Sequence, residues 1–184
     1  MLRVAINGYG RIGRSVLRAL YESNARQWIQ VVAINEPAET KTMAHLTRYD
    51  STHGRFPGTV EWQQDKLVVN DDVIQICHQE DLSQLPWTNF GIDVVLECSG
   101  TFSDRSTAET HLKAGATRVL FSQPAESNVD ATIVYGINHQ VLSGDETIIS
   151  SASCSTNCVV PVVSVLNDSF GVDGGVITTI HSAM

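Results

Sequence analysis

Long apolar runs, clustered cations and a cysteine framework are all missing from this sequence, and each absence removes a class of function. No stretch approaches the roughly 18 consecutive apolar residues of a spanning helix, so no membrane partner is expected. Lys and Arg number 12 against 20 Asp and Glu, a net charge of -8. They form no basic patch of the kind phosphate backbones require, so no nucleic-acid partner is expected. An acidic chain still binds anionic ligands where helix starts present free amides. Four cysteines (Cys77, Cys98, Cys154, Cys158) are too few and too irregularly spaced for a disulfide scaffold. They fit free thiols in a reducing compartment. Met1 to Ile6 is too short for a secretory signal and leads directly into a strand pattern, so a cytoplasmic location is expected. Internal repeats and low-complexity stretches are absent too.

What is present is a chain of 184 residues, 42% hydrophobic, long enough for one well-buried domain and part of a second. Leu2 to Asn7 is a short apolar run. Val16, Leu17, Leu20 and Tyr21 then recur at helical spacing, and Trp28 to Ile34 reads as a second buried strand. Strand, helix, strand in about 35 residues is a βαβ unit with a parallel pair. A helix over about 40–49 leads to the polar loop 50–55. Three short strands around 59–62, 66–69 and 73–77 read as a meander on the main sheet. Further strands are expected at 92–97, 118–121, 132–135 and 147–149, with a helix capped by Ser103 or Asp104 and ending near Gly115. From Cys154 a helix is expected to reach Phe170, with Val159, Val160, Val163 and Leu166 as its apolar face, a kink or a locally loosened turn at Pro161 and Gly171 as its stop. Residues 175–180 read as a final strand. The pattern as a whole is α/β, a Rossmann-type doubly wound parallel sheet with the start of a second domain.

Gly8-x-Gly10-x-x-Gly13 follows the first strand, opens the first helix, and precedes Glu36 at the end of the second strand. In that context the glycines read as a dinucleotide fingerprint. Gly8 permits the turn, Gly10 lets a pyrophosphate approach the backbone, and Gly13 packs the helix on the sheet. Glu36 accepts hydrogen bonds from the adenosine ribose hydroxyls and repels a 2'-phosphate, which selects NAD as cofactor.

Ser151-Ala152-Ser153-Cys154-Ser155-Thr156-Asn157-Cys158 is followed by Thr178-Thr179-Ile180-His181. Ser153 is a natural N-cap, placing Cys154 in a first helical turn where the macrodipole favours a thiolate. His181 on a following strand is the candidate ion-pair partner and general base or acid. Cys158, one turn along, reads as a second, structural thiol, because neither further ligands nor Cys-x-x-Cys spacing accompanies the pair. No metal site is assigned to His45, His53, His78, His111 or His139.

Three segments in order resemble the glyceraldehyde-3-phosphate dehydrogenase superfamily: residues 5–14 (Ala-Ile-Asn-Gly-Tyr-Gly-Arg-Ile-Gly-Arg), residues 49–56 around Thr52-His53-Gly54-Arg55, and residues 153–158 around Cys154. The resemblance implies a nucleotide domain over 1–152, the beginning of a catalytic α+β domain over 153–184, and a longer polypeptide, homotetrameric when complete. It implies that Cys154 attacks an aldehyde, His181 takes the proton, and hydride passes to NAD to leave a thioester. Arg11 and Ile12 then lie along the pyrophosphate, Ser99 and Ser122 near the nicotinamide end, and Ser153, Ser155 and Thr156 at the substrate. The amide of Cys154 joins His181 in stabilising the oxyanion.

Asn35-Glu36-Pro37-Ala38, Ser122-Gln123-Pro124 and His181-Ser182-Ala183-Met184 are most similar to the erythrose-4-phosphate dehydrogenase branch, where water resolves the thioester on the route to pyridoxal phosphate. Met184 stands where the glycolytic branch has a phosphate-binding threonine, and methionine cannot donate that bond. The implied partner is thus a small aldose phosphate. Glu80 occupies a place where the family often has an arginine near the adenine, which implies weaker NAD binding. Phosphorylating glyceraldehyde-3-phosphate dehydrogenase, a cofactor-binding module without turnover, and a thiol redox sensor using Cys154 remain the alternatives.

Overall fold

Eleven strands and five helices account for most of the chain in the computed structural model, which describes residues 1–181. In chain order they are β1 (Leu2–Asn7), α1 (Arg11–Glu22), β2 (Ile29–Asn35), α2 (Thr40–Arg48), β3 (Tyr49–Asp50), β4 (Gly54–Arg55), β5 (Val60–Trp62) and β6 (Lys66–Val69). There follow β7 (Asp72–Cys77), α3 (Trp87–Phe90), β8 (Val94–Glu97), α4 (Arg105–Lys113), β9 (Arg118–Phe121), β10 (Ala131–Thr132), β11 (Ile148–Ser150) and α5 (Cys154–Phe170).

Nine strands form one sheet in the order β10-β11-β9-β8-β1-β2-β7-β6-β5. Pairing is parallel from β10 through β7, while β5, β6 and β7 pair antiparallel as the expected meander. Because a strand alternates its faces, Ile6 and Ala5 of β1 enter opposite cores. On one face Ile6 packs with Leu17 of α1, Met43 of α2 and Leu67 and Ile74 of the meander. On the other, Ala5 packs with Trp87 of α3, Ala108 of α4, Val95, Val119 and Phe121. Helices on both faces explain why the middle residues of β1 and β2 are apolar on both sides of the sheet. Among the described residues no helix is long and apolar enough to cross a membrane.

Four expectations need correction. Residues 50–55 are not a plain loop, since β3 and β4 pair across the tip. The strand expected over 132–135 is only Ala131–Thr132, because the chain turns at once and Asn138 Oδ1 accepts from Val134 N at 2.7 Å. The strand expected from Ile92 begins at Val94. Residues 175–180 form no strand: no ladder partner lies beside them among the described residues, and Val176 and Ile180 are 95% and 96% exposed. A strand needs a neighbour to bond its backbone, and apolar alternation alone does not supply one.

Helix α5 spans the expected residues and runs through Pro161, yet none of its residues is buried. Its apolar face of Val159, Val160, Val163 and Leu166 is therefore not part of either core.

Candidate functional site

β1 has β2 on one side and β8 on the other, and the chain visits those sides in succession. Such a switch point opens a crevice beyond the carboxyl ends of the strands. Here the crevice has a volume of about 360 Å³, and its walls include Gly8, Gly10, Glu36, Glu80 and Ser99. They come from the exits of β1, β2, β7 and β8.

The glycines hold this geometry for different reasons. Gly8 has φ of +87°, and a Cβ there would stand 2.4 Å from Ser99 Cα. Gly13 packs α1 so tightly on the loop that its Cβ would meet Gly8 O at 2.3 Å. At Gly10 a Cβ would meet nothing within 4 Å, since that side of the loop faces open space. Gly10 is also the N-cap of α1, has no side-chain cap, and precedes a first turn without an acidic residue. The amides at this helix start are left for an anion to satisfy. Between the loop and the core, Tyr9 is buried and shares a 2.8 Å hydrogen bond with Thr47 Oγ1. Burial pushes its phenol well above the usual range.

Glu36 does more than border the crevice. Its carboxylate accepts from Tyr9 N at 2.7 Å and from Ala38 N at 3.2 Å, tying the glycine loop to the exit of β2. A carboxylate has about four acceptor positions, so two remain for ribose hydroxyls. Open space over Gly10, free helix amides and this carboxylate together fit a dinucleotide with an unphosphorylated ribose. Arg11 and Ile12 follow Gly10 at the exposed start of α1. Ser99 lines the crevice, its amide donating to Glu97 Oε1 at 2.8 Å. Ser122 lies one position past β9, its amide donating to Glu97 O at 3.0 Å, and is not part of the crevice wall.

The thiol segment follows β11. Ala152 adopts φ of +60°, an uncommon and costly backbone for a residue with a Cβ, directly before the helix start. Ser153 caps α5: its Oγ accepts from Thr156 N at 3.0 Å, lies 2.6 Å from Thr156 Oγ1 and 3.1 Å from Ser155 Oγ. Asn157 Nδ2 donates to Ser151 O at 2.7 Å and to Ser153 O at 2.9 Å, bracing the turn. Cys154 is the first helical residue and is exposed, as is Cys158. His181 is exposed and not on a strand, and no hydrogen bond joins it to Cys154 among the described residues. Ser182, Ala183 and Met184 lie outside the described residues.

One buried polar pair escapes the motif reading. Glu97 and His111 are fully buried and hydrogen-bonded to each other at 3.1 Å beneath the crevice. The only signal in the sequence is a lone acid at the end of the apolar strand Val94–Glu97.

The family model described as glyceraldehyde 3-phosphate dehydrogenase, NAD binding domain, matches residues 2–105, more than half of the chain. The one described as the C-terminal domain of the same enzyme matches residues 153–184. The first contains the glycine loop, Glu36 and Ser99, and the second opens on Ser153 and Cys154. With a dinucleotide crevice at the switch point and a capped cysteine helix in the expected order, the chain belongs to the glyceraldehyde 3-phosphate dehydrogenase family of NAD-dependent dehydrogenases.

Proposed function

We propose that this chain supplies the cofactor site and nucleophile of an NAD-dependent aldose-phosphate dehydrogenase acting on erythrose 4-phosphate. The observation that carries the reading is Cys154 at the Ser153-capped start of α5, in a chain whose switch-point crevice fits NAD. Asn35-Glu36-Pro37-Ala38, Ser122-Gln123-Pro124 and Met184, which cannot donate a hydrogen bond to a substrate phosphate, support the choice of substrate.

The division of labour follows from the residues. Amides at the start of α1, around Arg11 and Ile12, meet the pyrophosphate, and Glu36 accepts from the ribose. Ser99 and Ser122 serve the nicotinamide end. Bound NAD supplies the hydride acceptor. Cys154 Sγ bonds to the aldehyde carbon and His181 takes the proton from the resulting hydroxyl as that carbon is oxidised to a thioester, which water then cleaves. The amide of Cys154 steadies the oxyanion, while Ser153, Ser155 and Thr156 contact substrate. Residues 1–152 act as the nucleotide domain and 153–184 as the opening of the catalytic domain, in a cytoplasmic homotetramer with neither nucleic-acid nor membrane partners.

A second reading, a cofactor-binding module without turnover, is favoured by the unburied α5 and the exposed His181. Following NADH formation by the purified protein decides among the readings. Faster turnover with erythrose 4-phosphate than with glyceraldehyde 3-phosphate plus phosphate is the expected result. The reverse order overturns the substrate, and NAD binding without turnover on either establishes the module.

A further inference from the structure

Under the crevice a line of buried polar side chains crosses from helix to sheet, and neither the glycine loop nor the thiol site uses it. Trp87 Nε1 donates to His111 Nδ1 at 3.1 Å, and His111 Nε2 lies 3.1 Å from Glu97 Oε2. The same Glu97 oxygen accepts from Asn7 Nδ2 at 2.6 Å, while Oε1 accepts from Ser99 N at 2.8 Å. Asn35 Nδ2 donates to Asn7 Oδ1 at 2.8 Å and to Gln79 O at 3.0 Å, and Asn35 Oδ1 accepts from Gln79 N at 2.9 Å. Trp87, His111 and Glu97 are 0% exposed, Asn7 2% and Asn35 3%.

Donor and acceptor chemistry sets the proton positions. An indole N–H only donates, so His111 Nδ1 must be the bare nitrogen. The ring is then neutral, with its proton on Nε2, and donates to Glu97. Glu97 thus receives three donors and gives none, the pattern of an ionised carboxylate. Burying such a group is expensive and is retained where its partners need to be held in one arrangement. Its partners here are the backbone of Ser99 and, through Asn7 and Asn35, that of Gln79, and all four residues line the crevice.

We infer that His111 and Glu97 are positioning residues for the nucleotide site: His111, locked by Trp87, orients Glu97, which fixes the exits of β1, β2, β7 and β8 in the arrangement that receives NAD. The inference rests on the reading of the crevice as the dinucleotide site. Apparent affinity falls in proportion to the fraction of molecules holding the competent arrangement, so freeing these exits weakens binding without removing any group that touches the cofactor.

The test compares His111→Leu with His111→Gln in the full chain, measuring NAD affinity by calorimetry and the folded fraction by circular dichroism. Glutamine can accept from Trp87 through its carbonyl and donate to Glu97 through its amide, whereas leucine does neither. H111L is expected to bind NAD about tenfold more weakly per folded molecule, and H111Q to recover most of the loss. Equal affinity of H111L and the unmodified chain, or equal loss in both variants, overturns the inference. Should H111L fail to fold, Trp87→Phe takes its place, since it keeps an aromatic ring there but frees the tautomer. About threefold weaker binding supports the proposal, and unchanged binding overturns it. An unmodified chain that binds no NAD would instead overturn the nucleotide reading itself.

Discussion

Alanine at Gly8 and alanine at Gly10 change the chain by the same single methyl group, and the two are expected to fail in different ways. At Gly8 the methyl must occupy φ of +87° and stand 2.4 Å from Ser99 N and Cα and 2.8 Å from Cys98 C, all backbone atoms. The left-handed conformation costs about 1–2 kcal/mol. Forcing the exit of β8 aside adds about 1–3 kcal/mol by analogy with overpacked cores. The sum, about 2–5 kcal/mol, corresponds to a fall in melting temperature of about 4–20 °C for a chain of this size. At Gly10 the backbone has an ordinary φ of -70° and the methyl meets no atom within 4 Å. The only stability term is the poorer N-cap, at most about 1 kcal/mol. That methyl does fill the space where the pyrophosphate approaches, so G10A is expected to lose about tenfold or more in NAD affinity while melting nearly as the unmodified chain does. Thermal melts and NAD titrations on both variants provide the check. G8A melting normally, or G10A melting as low as G8A, would refute the assignment of one glycine to the fold and the other to the cofactor.

Two further outcomes follow from titrating groups. Asp104 caps α4, with Oδ1 accepting from Thr107 N at 2.8 Å, and the hydroxyls of Ser106 and then Thr107 hold its carboxyl down to about 2. A carboxyl lowered in the folded state stabilises above its unfolded value, near 4, and that contribution is lost as pH falls from about 4 to about 2. Asp104→Ala should therefore cost about 1 kcal/mol at pH 7, and its urea midpoint should converge with that of the unmodified chain near pH 2; a constant gap across that range would contradict the cap. Burial pushes the Cys98 thiol up to about 11, partly offset by a hydrogen bond with Ser122, and burial likewise raises Cys77. Iodoacetamide at pH 8 should label exposed Cys154 and Cys158 well before Cys77 and Cys98, and peptide mapping that found Cys98 labelled as fast would refute the burial.

Elements whose signal is local were legible in the sequence. The βαβ opening, the three-strand meander and the two side-chain-capped helices, at Asp104 and Ser153, follow from runs of apolar residues and from caps that act within four positions. The glycine loop was legible for the same reason: its spacing encodes close approaches between the exits of β1 and β8 that only glycine permits. The sequence places Glu36 at the end of β2 beside the glycine loop, but not its bond to Tyr9 N, because that bond depends on where the turn after β2 brings the side chain.

Long-range pairing marks the limit. Residues 175–180 have the apolar and β-branched composition of a strand, yet a ladder is a property of two segments, and no described segment pairs with them. The relay of Trp87, His111, Glu97, Asn7 and Asn35 is the opposite case, in which partners are present but separated by up to 90 positions. Read singly, Glu97 breaks an apolar strand and His111 is one histidine among six. Only parallel pairing of β8 with β1, and of β1 with β2, brings Glu97 level with Asn7 and Asn7 level with Asn35. A buried carboxylate at a strand's carboxyl end, beside a switch point, is thus a sequence clue that gains meaning once strand order is known. The same register that aligns these three side chains also places Gly8, Glu36 and Ser99 just beyond them, so the arrangement of the cofactor site and that of the relay have a common cause in the sheet.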